Sequence, residues 1–391
     1  MKEVVIVGAT RSPIGTFGGS LRDIKAIDLS RFIIEAVIGR TGIEKNMIDQ
    51  VIMGNCYEPV DHNIARIGLV KAGLPLETTG FHIVATCGSG MQAIISGVQS
   101  IRDNDASCVI SGGVESMSTA PYLLQTARWG FRLQHHQVID TIWKSMQEHP
   151  IGGGMGQTAE NLASRYSIPR EEQDVIALRS QQNAGRAIKE RRFADEITPV
   201  PVPQPKGQLK ICDTDEHPKP DMTMEKLAAL PPAFKEGGTV TAGNSCGIND
   251  AAAALILMTE EKARELDLKP MARIVSYAVV GVDPAYMGIG PVPATRKALE
   301  RAGLTLDDIE LIEINEAFAA QYLACERELG WNRDIVNVNG SGISLGHPIG
   351  CTGARIVVTL LFEMIKRDLR RGLATLCAGG GQGFALVVER T

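Results

Sequence analysis

The chain lacks several things, and each absence excludes a class of function. None of its eight cysteines forms a CxxC pair or joins a CxxC…HxxxH arrangement, so a zinc site of the usual spacing is excluded. No apolar run approaches the roughly 20 residues that cross a bilayer. The opening apolar run Val4 to Val7 leads into Gly8-Ala9-Thr10-Arg11; no GxGxxG follows it, which removes the dinucleotide fingerprint. That run is also too short for a signal h-region and has no cleavage pattern. Acidic residues outnumber basic ones only slightly, for a net charge of −5. A nucleic-acid role therefore has no global electrostatic support, and an anionic substrate needs a local basic patch. Many free thiols in a chain of this length fit a reducing compartment, so a cytoplasmic location is expected.

What is present reads as α/β. The 391 residues, 44% hydrophobic and 22% charged, suit two or three domains with substantial cores. Runs 4–7, 108–111, 312–314, 375–378 and 384–388 have the composition of buried strands. Stretches 28–39, 90–102, 172–190, 293–302 and 353–369 carry helical spacing. Ala251 to Met258 is apolar but short and reads as core. A faint repeat joins the halves. Cys87 to Gly90, a helix, and Cys108 to Gly113 are answered by Gly346 to Gly353, a helix, and Cys377 to Gly380. Between them, residues 198–240 hold eight prolines, which bars a central strand there. The expected organisation is an N-terminal half, 1–117, to which 248–268 returns, an inserted loop domain, 118–247, and a C-terminal half, 269–391.

Four side chains sit where α/β proteins place ligand contacts, at strand ends or helix starts. Cys87 lies in Cys87-Gly88-Ser89-Gly90 ahead of an apolar helix, where free N–H groups and the helix dipole favour a thiolate. Asn315 follows an apolar strand, His347 lies in Gly346-His347-Pro348-Ile349-Gly350, and Cys377 ends a strand before Ala378-Gly379-Gly380-Gly381. Each alone has a bland reading: a buried thiol, a local backbone bond, a turn histidine. The triple glycine lacks the lysine of a P-loop.

Taken together, these motifs resemble the thiolase family, with Asn315-Glu316-Ala317-Phe318-Ala319 as the fullest asparagine motif. The resemblance extends through Arg11 to Gly19, Met155 to Asn161 and Thr239 to Asn244. It implies two similar βαβαβαββ-type halves in an α-β-α-β-α layering, with the loop domain inserted. It implies reversible cleavage or Claisen condensation of short 3-ketoacyl-CoA such as acetoacetyl-CoA, through an acyl group on Cys87. A thiolate suits that task because it is both nucleophile and leaving group. On the same resemblance His347 accepts the Cys87 proton and Cys377 moves the α-carbon proton. Asn315, through a water, and His347 face the enolate, and the backbone N–H groups of Cys87 and Gly379 face the tetrahedral oxyanion. Met155, Phe234, Ala242, Cys246, Ala317 and Phe318 match positions lining the pantetheine, and Lys219 a basic position near the CoA phosphates. Coenzyme A is a substrate, and no cofactor or metal is implied. Residues 120–140 resemble a loop that assembles tetramers, so a homotetramer without nucleic-acid or membrane partners is expected.

Two departures bear on specificity. Cys246 stands where short-chain relatives usually carry serine, and Gly154 where they commonly carry histidine. Both point toward tolerance of longer or branched chains, as in a 3-ketoacyl-CoA thiolase of β-oxidation. A decarboxylating ketoacyl synthase pairs its cysteine with His–His or His–Asn, which Cys377 argues against. A non-catalytic superfamily member usually lacks one of the four residues present here.

Overall fold

The computed structural model describes residues 2–58 and 60–390. Its main strands are β1 (Val4–Arg11), β2 (Gln50–Gly54), β3 (Thr79–Ile83), β4 (Cys108–Ser116) and β5 (Asn249–Thr259). The C-terminal half supplies β6 (Ala272–Gly281), β7 (Leu311–Ile314), β8 (Arg371–Ala378) and β9 (Gln382–Glu389). They form a sheet in the order β7-β8-β9-β6-β1-β5-β4-β2-β3. Only β2 with β3, β2 with β4, and β7 with β8 are parallel. Between β1 and β6, the strands where the two half-sheets meet, the pairing is limited to Val5–Arg273 and Ile6–Ala272. That narrow seam leaves two similar sheets, in which β3-β2-β4-β5-β1 answers β7-β8-β9-β6.

Side-chain alternation on the strands separates three cores. On β1, Val4 and Ile6 enter the central core while Val5 and Val7 enter the outer core of the N-terminal half. On β5, Ala251, Ala253, Leu255 and Leu257 face the centre, and Ala252, Ala254, Ile256 and Met258 face outward. On β9, Phe384, Leu386 and Val388 face the centre, whereas Ala385 and Val387 line the third core. Helices fill each space. Helices α1 (Ala26–Thr41) and α2 (Ile64–Lys71) cover the N-terminal half. Helices α3 (Ser89–Arg102) and, late in the chain, α9 (Ile349–Arg367) lie in the middle. The third core takes α5 (Met155–Arg165), α6 (Arg170–Lys189), α7 (Pro291–Ala302) and α8 (Ala319–Leu329). The expected five-layer order is therefore present, with the halves continuous through β1 and β6.

The middle layer positions the site. A Cβ added to Gly90 would meet Ala354 N at 2.7 Å and Gly350 O at 3.0 Å, and one on Gly353 would meet Met91 Cβ at 2.9 Å. Helices α3 and α9 thus cross backbone to backbone near their N-termini, a spacing only side-chain-free residues allow. Both helix starts, with Cys87 just before one and His347 just before the other, are drawn to one place. The segment between β4 and β5 contains α4 (Thr141–Gln147), α5 and α6, and a Pro-rich hairpin of Val200–Pro203 with Leu209–Cys212. Arg11 anchors this segment to β1. Its Nε is 2.6 Å from Glu196 Oε1 and its Nη1 2.7 Å from Asp215 Oδ1, all three side chains being buried.

Candidate active site

Cys87 is half-buried one residue ahead of the helix N-cap Gly88. Its turn is tense. Thr86, a β-branched residue, has φ +49°, a left-handed conformation that costs about 1–3 kcal/mol. Its hydroxyl lies 2.8 Å from Ala85 O and 3.1 Å from Gly379 O, lashing the turn to the loop after β8. The backbone N–H groups of Gly379 and of Cys87 itself favour ionisation of the Cys87 sulfur. Burial nevertheless dominates: it pushes the thiol up to about 11 against those two donors, and Glu115 pushes the same way. The helix start therefore does not make a resting thiolate, contrary to the sequence expectation, because desolvation outweighs the dipole. Cys377, fully buried on β8, is likewise pushed well above a free thiol by burial and then by nearby Cys87, not pulled toward neutrality.

His347 sits opposite, after Gly346 at φ +103°, where a side chain would also strike Asn249. Its backbone N–H donates to Asn249 Oδ1 at 3.0 Å. Its Nδ1 is 2.7 Å from Thr352 Oγ1, whose own hydroxyl donates to Pro348 O at 3.0 Å. Thr352 can then only accept, so Nδ1 carries the proton and Nε2 is the accepting nitrogen. Nε2 lies 3.5 Å from Asn315 Nδ2. Burial, helped by the Arg355 charge, lowers the imidazole to about 3. His347 is thus a neutral acceptor at physiological pH.

Asn315 is fully buried, and its Oδ1 has no protein partner among the described residues. Asn337, at φ +48°, supports it from behind. The Asn337 side chain accepts from Ile314 N at 2.8 Å and donates to Ile314 O at 3.0 Å and Glu316 Oε1 at 2.8 Å. This amide extends the edge of β7 as a backbone would. Nothing local in the sequence marks Asn337 or Thr86 for these duties.

Most of the residues expected along the pantetheine converge. The Met155 sulfur would lie 3.2 Å from a Cβ on Gly379. Cys246 N–H donates to Ala317 O at 3.0 Å, and Ser245 bridges to Phe318. Phe234 meets Phe318 edge to face at 5.9 Å and packs on Gly156. Cys246 is raised to about 12 by burial and by Cys87 nearby. Ala242 is exposed on the turn ahead of Asn244. Lys219 is exposed as well, held by its backbone N–H to Gln181 Oε1 at 2.7 Å, and its side chain joins none of these contacts. Sequence reasoning missed His217, which packs on Gly247 beside Cys246 and is held near 4 by burial and by Lys219.

Two stacked sheets with a thiol and an imidazole at the starts of crossing helices define a class of cysteine-centred α/β proteins built from duplicated halves. Residues 4–261 match the family described as Thiolase, N-terminal domain, and residues 268–390 match Thiolase, C-terminal domain. The chain belongs to the thiolase family. It is 52% identical to an acetyl-CoA acetyltransferase of Syntrophomonas wolfei over 99% of both chains. It superposes on the Bacillus anthracis acetyl-CoA acetyltransferase crystal structure with TM-score 0.97 at 50% identity, covering 100% of this chain and 99% of that one. Human mitochondrial 3-ketoacyl-CoA thiolase, solved in complex with CoA, gives TM-score 0.96 at 42% identity over 100% and 98%.

Proposed function

We propose that this protein is an acetyl-CoA C-acetyltransferase that reversibly cleaves acetoacetyl-CoA with free CoA. The observation that carries the reading is the crossing of α3 and α9 near their N-termini, which draws together the Cys87 turn, the Gly379 loop bonded to it and the neutral His347 with its partner Asn315. Cys87 gives its proton to His347 Nε2 and attacks the 3-keto carbon. Its own N–H and that of Gly379 receive the oxyanion, a donor pair whose members are each worth about 10²–10³ in rate. The C2–C3 bond then breaks, and the electron pair passes to the thioester enolate facing Asn315 and His347. Cys377 protonates C2, and acetyl-CoA leaves. Incoming CoA gives its thiol proton to Cys377 and attacks the acetyl-Cys87 carbonyl; acetyl-CoA forms as the Cys87 sulfur is expelled, and that sulfur takes its proton back from His347, which restores the starting enzyme. Both thiols start protonated, as burial dictates, so charge appears only as the chemistry proceeds. The sequence needs no metal or redox cofactor.

Met155, Phe234, Ala242, Cys246, Ala317 and Phe318 hold the pantetheine arm in this reading, and Lys219 meets the CoA phosphates only if its side chain swings inward. Gly154, without a ring, favours a second reading, a 3-ketoacyl-CoA thiolase accepting longer chains. A homotetramer is supported by exposed Tyr122, Trp129, Phe131 and Leu133, with Trp129 89% accessible. The free edge of β3, with exposed Phe81, offers a dimer contact. Eight free cysteines fit a cytoplasmic setting, and no helix among the described residues is long and apolar enough to cross a membrane.

The test is CoA-dependent loss of the acetoacetyl-CoA enolate absorbance with native protein and Cys87→Ala side by side. Loss with the native enzyme only is expected. Equal loss with both overturns the Cys87 assignment. No loss with either, but turnover of 3-ketohexanoyl-CoA, selects the longer-chain reading.

A further inference from the structure

Glu115 is a fully buried carboxylate that the proposed chemistry does not use. It stands at the end of β4, under the crossing of α3 and α9. Its Oε2 accepts from Gly350 N at 2.8 Å and Cys56 N at 3.1 Å. Its Oε1 accepts from Tyr57 N at 3.1 Å and Asn55 Nδ2 at 3.0 Å. Gly350 lies in the first turn of α9, three residues after His347. Cys56 sits beneath the nucleophile turn, with its sulfur 3.3 Å from Thr86 O and 3.4 Å from Ser89 Oγ. Tyr57 runs on to the Ser145 hydroxyl on α4. One carboxylate therefore touches the base's helix, the floor of the nucleophile's turn and the wall beside it. Among the described residues it pairs with no Lys, Arg or His, so N–H dipoles alone stabilise its charge.

We propose that Glu115 is a positioning residue for acyl transfer: its carboxylate latches the first turn of α9, and with it His347, to the Asn55–Tyr57 loop that seats the Cys87 turn. The proposal rests on the thiolase reading of the site. The latch has a second effect through its charge. The titratable groups facing Glu115 are Cys56 and Tyr57 on the loop, Cys87 on the turn and Cys351 on α9. Ionised Glu115 opposes ionisation of every one of them. Burial raises Glu115 itself to about 7, against the N–H donors of Gly350, Tyr57 and Cys56. At pH 8 it is therefore mostly charged and adds to the burial that keeps Cys87 a thiol.

The test uses the full-length native protein, E115Q and E115D. Iodoacetamide alkylation of Cys87, followed by mass spectrometry across pH 6–10, reads the charge without any substrate. In E115Q the alkylation limb is expected to move to lower pH, so that the reaction at pH 8 is faster than in the native protein. Thiolysis reads the latch. In E115D the charge remains but the oxygens retreat by a methylene, and kcat is expected to fall by up to about a hundredfold with KM little changed, while the alkylation limb stays native. An unshifted limb in a folded E115Q, or native kcat in E115D, overturns the proposal. If E115Q fails to fold, E115D decides the latch alone by its kcat. A native protein without thiolase turnover sinks the functional reading instead, and the alkylation profiles still judge the charge.

Discussion

Gly88→Ala tests the geometry of the nucleophile turn most directly. Gly88 has φ −77° and ψ −8°, which alanine adopts freely, so any penalty comes from space. An added Cβ would stand 2.5 Å from Cζ and 2.6 Å from Cδ2 of Phe384, and closer still to Cε2. Carbon atoms sit comfortably at about 3.5–4.0 Å, so ring and turn must separate by about 1 Å or more. Phe384 is fully buried in the central core. If the ring gives way, overpacking costs about 1–3 kcal/mol, a fall of a few degrees in Tm. If the turn gives way, the Cys87 N–H leaves the oxyanion and kcat drops about 10²–10³-fold. Thermal unfolding and the acetoacetyl-CoA assay, run on the same preparation, separate the two. A variant with native Tm and native kcat refutes the claim that Phe384 sets the height of the nucleophile turn.

Three further outcomes follow from the same structure. The imidazole of His347, held to about 3 by burial, stays neutral and does not titrate between pH 5 and 9; NMR of the ring, assigned by difference with His347→Gln, checks this, and a midpoint near 6.5 contradicts it. Gly379→Ala places a Cβ 3.2 Å from the sulfur of flexible Met155, so Tm changes by less than about 1 kcal/mol in equivalent stability while KM for CoA rises. Arg11→Met leaves Glu196 and Asp215 buried without their cation, a loss of about 3–5 kcal/mol in denaturant unfolding. That loss is largest at neutral pH and above, and it shrinks as falling pH protonates Glu196, whose pKa burial already raises; a pH-independent deficit argues against the ion-pair explanation.

The sequence announced what depends on local order. The apolar helix after Cys87, the long amphipathic helix 172–190 and the strands ending at Ile314 and Ala378 fall within a few residues of the observed elements. The motif residues at strand ends gather at one site for the same reason. What stayed hidden depends on neighbours. Asn249 to Ala254 is rich in helix formers, yet β5 is extended because it is wedged between β1 and β4, where alanines face Gly112 and Gly113. Helix α8 buries its first seven residues and so shows no amphipathic stripe. The expected thiolate at Cys87 followed from the helix start alone, whereas desolvation is a property of the assembled layers. Glu115 reads in the chain as one acid among 45; only the crossing of α3 and α9 gives it work.

The hairpin between β8 and β9 turns within Ala378 to Gln382, while its counterpart between β4 and β5 spans residues 117–248. Yet Ser116 and Asp250 are paired neighbours across that second gap. The segment proposed to line the acyl-CoA site is thus spliced into a turn, with its two ends docked side by side. Such a segment is portable: two cuts exchange it between relatives without disturbing the crossing helices. The graft must bring its own matching face, because Ile176 and Leu162 share a core with the C-terminal half. On the proposed function, substrate choice and bond-making chemistry are therefore encoded in parts of the chain that can change separately.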